Sequence, residues 1–171
     1  MTQTFRLRDA GLADVGVLAA LHAACFDDAW SPQSMLEVMG SPGVRAWLAV
    51  VSAPRAVAPT GLLPVGFAIA RAVTDEAELL SIGVIDKYRR QGLATQLLAQ
   101  VIEYVAARGV HKLFLEVAED NPGAQALYAA HGFARVGRRP DYYRGRDGTM
   151  TAALTLRRHV VPTKWRWTKR S

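Results

Sequence analysis

The sequence has one cysteine, Cys25, and only four histidines. A single cysteine cannot form an internal disulfide, so a disulfide-stabilised scaffold is excluded. Cys25 falls on the apolar face of the first helical pattern, which predicts a small core residue rather than a catalytic thiol. The histidines are scattered and have no metal-ligand spacing with cysteine or carboxylate, and the sequence therefore predicts no metal site.

The chain also lacks a long uninterrupted apolar run. Its most apolar segment, residues 46–70, contains one arginine and three prolines, whereas a membrane span needs about 20 largely apolar residues. Charge precedes any apolar run at the N-terminus, which is unlike a secretory signal peptide. With 50% hydrophobic and 21% charged residues, the composition is typical of one globular domain. These features predict a soluble cytoplasmic protein that does not bind membranes.

Acidic residues are in the minority, since 15 Asp and Glu oppose 21 Lys and Arg in the 171 residues, for a formal charge of +6. The excess lies late, in Arg135, Arg138, Arg139, Arg144, Arg146, Arg157, Arg158, Lys164, Arg166, Lys169 and Arg170. This bias suits an anionic cofactor or a substrate carried on nucleic acid. We expect one domain over residues 1–158 and a basic tail over 159–171. The alternating Lys-Trp-Arg-Trp at 164–167 predicts either a weak RNA contact or an end that only adds solubility.

Periodicity and turn residues predict eleven helices and strands. The strands are expected at residues 4–8, 45–51, 65–73, 78–85, 112–117, 133–138 and 150–156, and the helices at 13–26, 32–40, 92–108 and 122–131. Ser31-Pro32 and Asn121-Pro122 are typical helix starts, and Gly40 and Gly109 are typical helix ends. This order predicts an α+β fold, with a central, mostly antiparallel mixed sheet, one parallel step and helices on both faces.

A basic, glycine-containing segment precedes the third predicted helix. It consists of Arg89, Arg90, Gln91, Gly92, Leu93, Ala94 and Thr95. Backbone N–H groups in a first helical turn have no internal partners, and the helix dipole makes that end positive. Glycine admits a phosphate closely and arginine adds charge-assisted hydrogen bonds, so the segment is consistent with a pyrophosphate site. The pattern alone is weak, because many helices follow a basic loop.

Two polar residues stand out in the second half of the chain. Glu116 lies in the apolar strand segment Leu-Phe-Leu-Glu-Val, where a carboxylate is costly unless it faces a cleft or an ionic partner. Tyr128 lies seven residues after Asn121, which places both on roughly one side of the same helix. The alternatives are an ion pair for Glu116, an ordinary buried aromatic for Tyr128 and a helix N-cap for Asn121.

Six segments, taken in order, resemble the GNAT superfamily of acetyl-CoA-dependent N-acetyltransferases over nearly the whole chain. They are His22…Phe26…Trp30-Ser31, ELLSIGV (78–84), RRQGLAT (89–95), LFLEVAEDN (113–121), ALYAAHGF (126–133) and RRPDYY (138–143). Within the superfamily they are most similar to the bacterial ribosomal-protein-alanine N-acetyltransferases. Those enzymes acetylate the N-terminal alanine of a small-subunit ribosomal protein.

The resemblance implies acetyl-CoA as co-substrate, with no metal. The backbone of Ile82, Gly83 and Val84 would pair with the pantetheine arm as an additional strand would. Residues 89–95 would hold the pyrophosphate, and Asn121 would bind the pantetheine near its reactive end. The expected oligomeric state is a monomer or a weak dimer.

The resemblance also implies the catalytic pair, with Glu116 as general base and Tyr128 as general acid; Glu78 is the alternative base. Tyr142-Tyr143 and the loop before the last strand would close over an acceptor peptide. The chain departs from the group at Thr151-Ala152, where an Asp-Ala pair is usual, and Ala94 replaces a common second glycine. A small-molecule amine (polyamine, amino acid or antibiotic) and an RNA-directed role, such as acetylation of aminoacyl-tRNA by a toxin, are therefore the alternative functions.

Overall fold

The structure is a computed structural model that describes residues 5–163. In that range a seven-stranded sheet carries four α-helices. The strands are β1 (Phe5–Ala10), β2 (Val44–Ser52), β3 (Leu62–Val73), β4 (Glu76–Val84), β5 (Lys112–Ala118), β6 (Ala134–Arg144) and β7 (Met150–His159). The helices are α1 (Val15–Cys25), α2 (Pro32–Gly40), α3 (Leu93–Ala107) and α4 (Pro122–Ala130). None of the helices in this range is long and apolar enough to cross a membrane.

The strand order in the sheet is β1-β2-β3-β4-β5-β7-β6. Every neighbouring pair is antiparallel except β4 and β5. These two are parallel because α3 returns the chain across one face of the sheet before β5 begins. The α+β fold and the single parallel step expected from the sequence are confirmed.

The sequence-based boundaries were wrong mainly in β6, which continues to Arg144 instead of ending at Arg138. Tyr142 and Tyr143 therefore lie in the strand and not in the loop after it. The pairing with β7 is irregular between Arg139 and Tyr143, and Asp141 between them has a φ of 50°. Because this irregularity interrupts the alternation of side chains, periodicity alone ended the strand too early.

The starts of α2 and α4 were located correctly. The Ser31 side chain accepts a hydrogen bond from the Ser34 N–H at 3.0 Å, and Asn121 accepts one from the Ala124 N–H at 3.1 Å. Gly109 after α3 has a φ of 78°, which glycine adopts without strain. The first helix is shorter than expected, because a 3₁₀ turn at Leu12–Asp14 precedes α1.

Apolar side chains are buried on both faces of the sheet. Helix α3 covers one face, where Leu97, Leu98, Val101, Leu113 and Leu115 are all 1% exposed or less. Helices α1 and α2 cover the other face over β2, β3 and β4, with Leu18, Met35, Leu48, Phe67 and Ile69 fully buried. Each such side chain stabilises the fold by roughly 1.5–3 kcal/mol relative to exposure. The Lys-Trp-Arg-Trp segment lies outside the described residues.

Candidate active site

Strands β4 and β5 separate after four residue pairs. Their pairing begins at Glu76 with Lys112 and ends at Leu79 with Leu115. At this point β4 has a bulge at Leu80. On β3, the consecutive residues Ile69 and Ala70 pair with Ser81 and Leu79, so Leu80 is the extra residue. A bulge bends its strand and increases the local twist. The two strands therefore diverge in the middle of the sheet and leave a cleft between them.

Within residues 5–163, one edge of β4 has no strand partner over residues 80–84, while the other edge stays paired with β3. This segment includes Ile82, Gly83 and Val84. Free backbone groups at a strand edge can pair with an extended ligand. The glycine also has a packing role that its sequence context did not reveal. A Cβ at Gly83 would lie 2.9 Å from the Sγ atom of Cys25 and 2.9 Å from Phe67.

The start of α3 lies beyond the end of β4 and presents free N–H groups. The first helical hydrogen bond runs from the Gln96 N–H to the Gly92 carbonyl at 3.1 Å. The N–H groups of Leu93, Ala94 and Thr95 consequently have no partner within the helix. A Cβ at Gly92 would meet no atom within 4 Å, and its φ is 83°. An open, positively polarised helix start of this kind fits a phosphate group.

The two arginines before α3 have different surroundings. Arg89 donates from Nε to the Val84 carbonyl at 2.8 Å, and its Nη1 lies 2.8 Å from Oδ1 of Asp86. Arg90 is exposed, has a φ of 61° and forms no ion pair among residues 5–163. The guanidinium of Arg90 can thus turn toward an anion, whereas that of Arg89 holds the end of β4. The neighbouring Gln91 donates to the Lys87 carbonyl at 3.3 Å.

Glu116 is the first residue of β5 after the strands separate. Its side chain is 16% exposed, and its Oε1 lies 2.9 Å from Nε of Arg139 on β6. The ion pair considered for this carboxylate from the sequence is therefore present. On β7, Thr155 pairs with Glu116 on one side and with Gly137 on the other, so both of its neighbours share its face of the sheet.

Two tyrosines of β6 adjoin this ion pair. The rings of Tyr142 and Tyr143 are 5.0 Å apart in an edge-on arrangement, and the Arg139 guanidinium lies 5.5 Å from the Tyr142 ring centre. Burial raises the pKa of Tyr143 to about 12, with a smaller contribution from the negative charge of Glu116. Burial and the charge of Glu116 also raise the pKa of Tyr142. Both phenols are protonated at neutral pH.

Tyr128 of α4 is 6% exposed and packs its ring against Phe133, with ring centres 5.7 Å apart. Burial raises the pKa of Tyr128 above its ordinary value, and the neighbouring Tyr143 raises it further. The hydroxyl is therefore protonated at neutral pH and can serve as a proton donor.

Two other residues singled out from the sequence have structural partners. Asn121 caps α4 through its side-chain oxygen, so the N-cap alternative is correct; its amide nitrogen is not used in this bond. Glu78 of β4 lies 3.3 Å from Nη2 of Arg71 and is 44% exposed. It is on the same sheet face as Glu116, because it pairs with Phe114 two residues earlier on β5.

The α1–α2 connection borders the open sheet face. His22 is 4% exposed, stacks on Trp30 with ring centres 4.7 Å apart, and accepts the Trp30 N–H through Nδ1 at 3.2 Å. Burial lowers the pKa of His22 to about 4, against a smaller opposite effect of Asp28. Asp27 Oδ1 lies 2.7 Å from Nε of Arg146 in the β6–β7 turn. Like the pair of Glu116 and Arg139, this ion pair joins segments that are far apart in sequence. No local sequence pattern could therefore indicate it.

Comparison with known proteins gives the family of this chain. A model of the acetyltransferase (GNAT) family matches residues 17–133. The [ribosomal protein bS18]-alanine N-acetyltransferase of Escherichia coli is 43% identical over 88 residues, which are 52% of this chain and 60% of that enzyme. The N-alpha-acetyltransferase RimI of Mycobacterium tuberculosis is 35% identical over 150 residues, covering 85% of this chain and 87% of that protein.

The fold has a similar counterpart among solved structures. The crystal structure of the ribosomal-protein-S18-alanine N-acetyltransferase from Escherichia coli superposes with a TM-score of 0.80 at 26% identity. The superposition covers 95% of this chain and 98% of that chain. The sequence match to the Escherichia coli enzyme, by contrast, spans less than two thirds of its length.

Proposed function

The chain belongs to the GNAT acetyltransferase family, and from this premise we propose that it transfers an acetyl group from acetyl-CoA to a primary amine. The observation that carries the proposal is the separation of β4 from β5 after Leu79 and Leu115. Along the resulting cleft lie the unpaired edge of β4, the start of α3 and the half-buried carboxylate of Glu116. An extended cofactor with a pyrophosphate at one end and a reactive group at the other fits that sequence of features.

The cofactor site divides into two parts. The edge of β4 at Ile82, Gly83 and Val84 offers backbone groups to the pantetheine amides. The N–H groups of Leu93, Ala94 and Thr95 would face the pyrophosphate, and Arg90, which has no ion pair among residues 5–163, would add a charge-assisted hydrogen bond. Arg89 and Gln91 act on the loop itself, through their bonds to Val84 and Lys87. Asn121 offers its amide nitrogen, which the helix cap does not use, near the start of α4.

The chemistry requires a neutral amine and a proton donor, and acetyl-CoA supplies the activated acyl group as a thioester. Glu116 is the candidate general base, because it is the carboxylate that follows the separation point. Tyr128 is the candidate general acid, since burial raises the pKa of its hydroxyl and keeps it protonated. Each such group typically contributes about 10²–10⁴-fold to the rate. Glu78 is the alternative base; it lies on the paired part of β4, before the strands separate, and it also forms an ion pair, with Arg71.

The acceptor we propose is the N-terminal alanine of a ribosomal protein. Support comes from the relatives, since the Escherichia coli enzyme is named as an alanine N-acetyltransferase of ribosomal protein bS18. In this chain, the α1–α2 connection and the β6–β7 hairpin flank the open face in front of Glu116. Tyr142, 47% exposed, offers an aromatic surface there. A peptide end could enter between these two segments.

A panel assay tests the proposal through the release of free thiol from acetyl-CoA. The acceptors are an alanine-starting ribosomal-protein peptide, the same peptide starting with serine, spermidine and an aminoglycoside. We expect the alanine peptide to give the largest kcat/KM. A preference for spermidine or the aminoglycoside would favour the small-molecule function instead. Failure of all four amines, with acetyl-CoA bound, would argue against an amine acetyltransferase.

A further inference from the structure

We propose that Arg139 occupies the place of the acceptor ammonium in the acceptor-free protein and leaves Glu116 when the amine binds. The inference rests on the proposed function and adds a specificity-determining residue to it. Its starting point is the 2.9 Å contact between Nε of Arg139 and Oε1 of Glu116. A guanidinium at this carboxylate is a cation placed where a protonated amine would have to dock.

The ion pair spans β7 over small side chains. Glu116 pairs with Thr155, which pairs with Gly137 on its other side. Arg139, two residues after Gly137, projects from the same sheet face, since side chains alternate along a strand. The Cβ of Thr155 lies only 3.4 Å from where a Cβ at Gly137 would be. Because glycine has no side chain, position 137 does not obstruct the side chain of Arg139 on its way across β7 to the carboxylate of Glu116.

Arg139 can leave at little cost. Its side chain is 62% exposed, whereas that of Glu116 is 16% exposed, so the arginine covers the carboxylate from the solvent side. Ion pairs with one well-exposed member contribute little, because water screens the attraction. Arg139 also borders the irregular stretch of β6: its own pairing with β7 is regular, and the next regular pair is formed by Tyr143. When it moves, its guanidinium can remain against the exposed ring of Tyr142, 5.5 Å away.

The chemistry requires this movement. A guanidinium bound to a carboxylate favours the charged carboxylate and so opposes its protonation. Glu116 cannot then accept a proton from the amine efficiently while Arg139 holds it. Two cations at one half-buried carboxylate also repel each other. The acceptor therefore exchanges with Arg139, and an acceptor that lacks a cationic amine has nothing with which to displace it.

The test compares acceptor binding to wild type and to Arg139→Gln, in the presence of CoA without an acetyl group, by titration calorimetry. The two probes are the alanine-starting ribosomal-protein peptide and its counterpart in which a propionyl group replaces the alanine. For the amine peptide we expect the Kd of the variant to fall about two- to fivefold, the range for an exposed ion pair. The propionyl peptide has no ammonium, so its Kd should be the same for both proteins.

Two more variants control for charge and structure. Arg139→Lys keeps a cation and should retain the wild-type Kd, while Arg144→Gln removes an exposed arginine of the same strand and should change neither Kd. In turnover assays Arg139→Gln should lower KM for the amine peptide with kcat changed less than KM. The melting temperature of each variant, compared with wild type, shows whether the substitution has disturbed the fold.

Equal or weaker binding of the amine peptide by Arg139→Gln would overturn the role of Arg139, even with normal thiol release by wild type. The same conclusion holds if the propionyl peptide gains as much as the amine peptide, since the change would then not report on the ammonium. Absence of thiol release with every amine would instead overturn the proposed function, whatever the ratio of Kd values. The two failures are therefore distinguishable.

Discussion

Leu79 and Leu115 are the last paired residues of β4 and β5, and Glu116 follows at once on β5. The separation of the strands therefore decides the position of the carboxylate relative to the free edge of β4. A bulge at Leu80 on the opposite side of β4 marks the same level of the sheet. The candidate base and the edge proposed for the pantetheine arm are consequently brought together by one irregularity in the sheet.

For Glu116→Gln we expect kcat at saturating peptide to fall about 10²-fold or more, because an amide cannot accept the proton of the amine. The Kd of acetyl-CoA should stay within twofold of wild type. Glu103→Gln, an exposed change on α3, is the matched control and should keep full activity. Steady-state kinetics and a cofactor titration check both values. Wild-type turnover in the Glu116 variant would remove this residue as the base.

For Tyr128→Phe we expect a loss of about 10²-fold in kcat with little change in KM, because protonation of the departing thiolate belongs to the transition state. The ring should keep its packing against Phe133, so the melting temperature should change little. Tyr104→Phe, on α3 beside Trp47, is the control. An unchanged kcat, with the chemical step shown to be rate-limiting, would exclude Tyr128 as the acid.

Arg89 and Arg90 should differ in what their loss does. Arg90→Ala should raise the Kd of acetyl-CoA about tenfold and leave stability unchanged, since it removes a charge-assisted bond from an exposed side chain. Arg89→Ala should lower the melting temperature as well, because the bond to the Val84 carbonyl is lost. Calorimetric titration and thermal unfolding separate the two effects. Equal loss of stability in both variants would contradict the difference.

Acid should destabilise the fold through His22. Burial lowers its pKa from 6.5 to about 4, so between these values the unfolded chain binds a proton that the folded chain does not. Stability then falls as the pH falls from 6.5 to 4, by about 3 kcal/mol at about 1.4 kcal/mol per pKa unit. Urea unfolding at pH 7 and pH 4.5 measures the loss. His22→Phe should show less of it, and His111→Gln should behave as wild type.

Gly83→Ala should destabilise the protein by about 1–3 kcal/mol, the usual cost of overpacking. Its new Cβ would lie 2.9 Å from Cys25 Sγ and from Phe67, so α1 or β4 has to shift. Because β4 carries the free edge, the affinity for acetyl-CoA should fall too. Gly123→Ala in α4, where the nearest contact is 3.8 Å, is the control, and urea unfolding should show no loss. Wild-type stability of the Gly83 variant would contradict this packing role.

Local patterns in the sequence were enough for the order of the strands and helices. Ser31 and Asn121 act within three residues along the chain, and the apolar spacing of α3 is set by its own turn. The fold class followed from this order, and the parallel step lies where α3 connects the neighbouring strands β4 and β5. The end of β6 did not follow, because its irregular pairing after Arg139 is a property of the contact with β7.

The sequence by itself predicts an anion site in the loop before α3, and it indicates that Glu116 is a carboxylate in need of a cleft or an ionic partner. Tertiary structure alone decided that the partner is Arg139, that Arg89 is engaged with Val84, and that Asp27 pairs with Arg146. The physical reason is distance along the chain. Helix caps and apolar stripes arise from neighbours within a turn, whereas these contacts depend on the separation of two strands and the return of β6, which no short stretch of residues encodes.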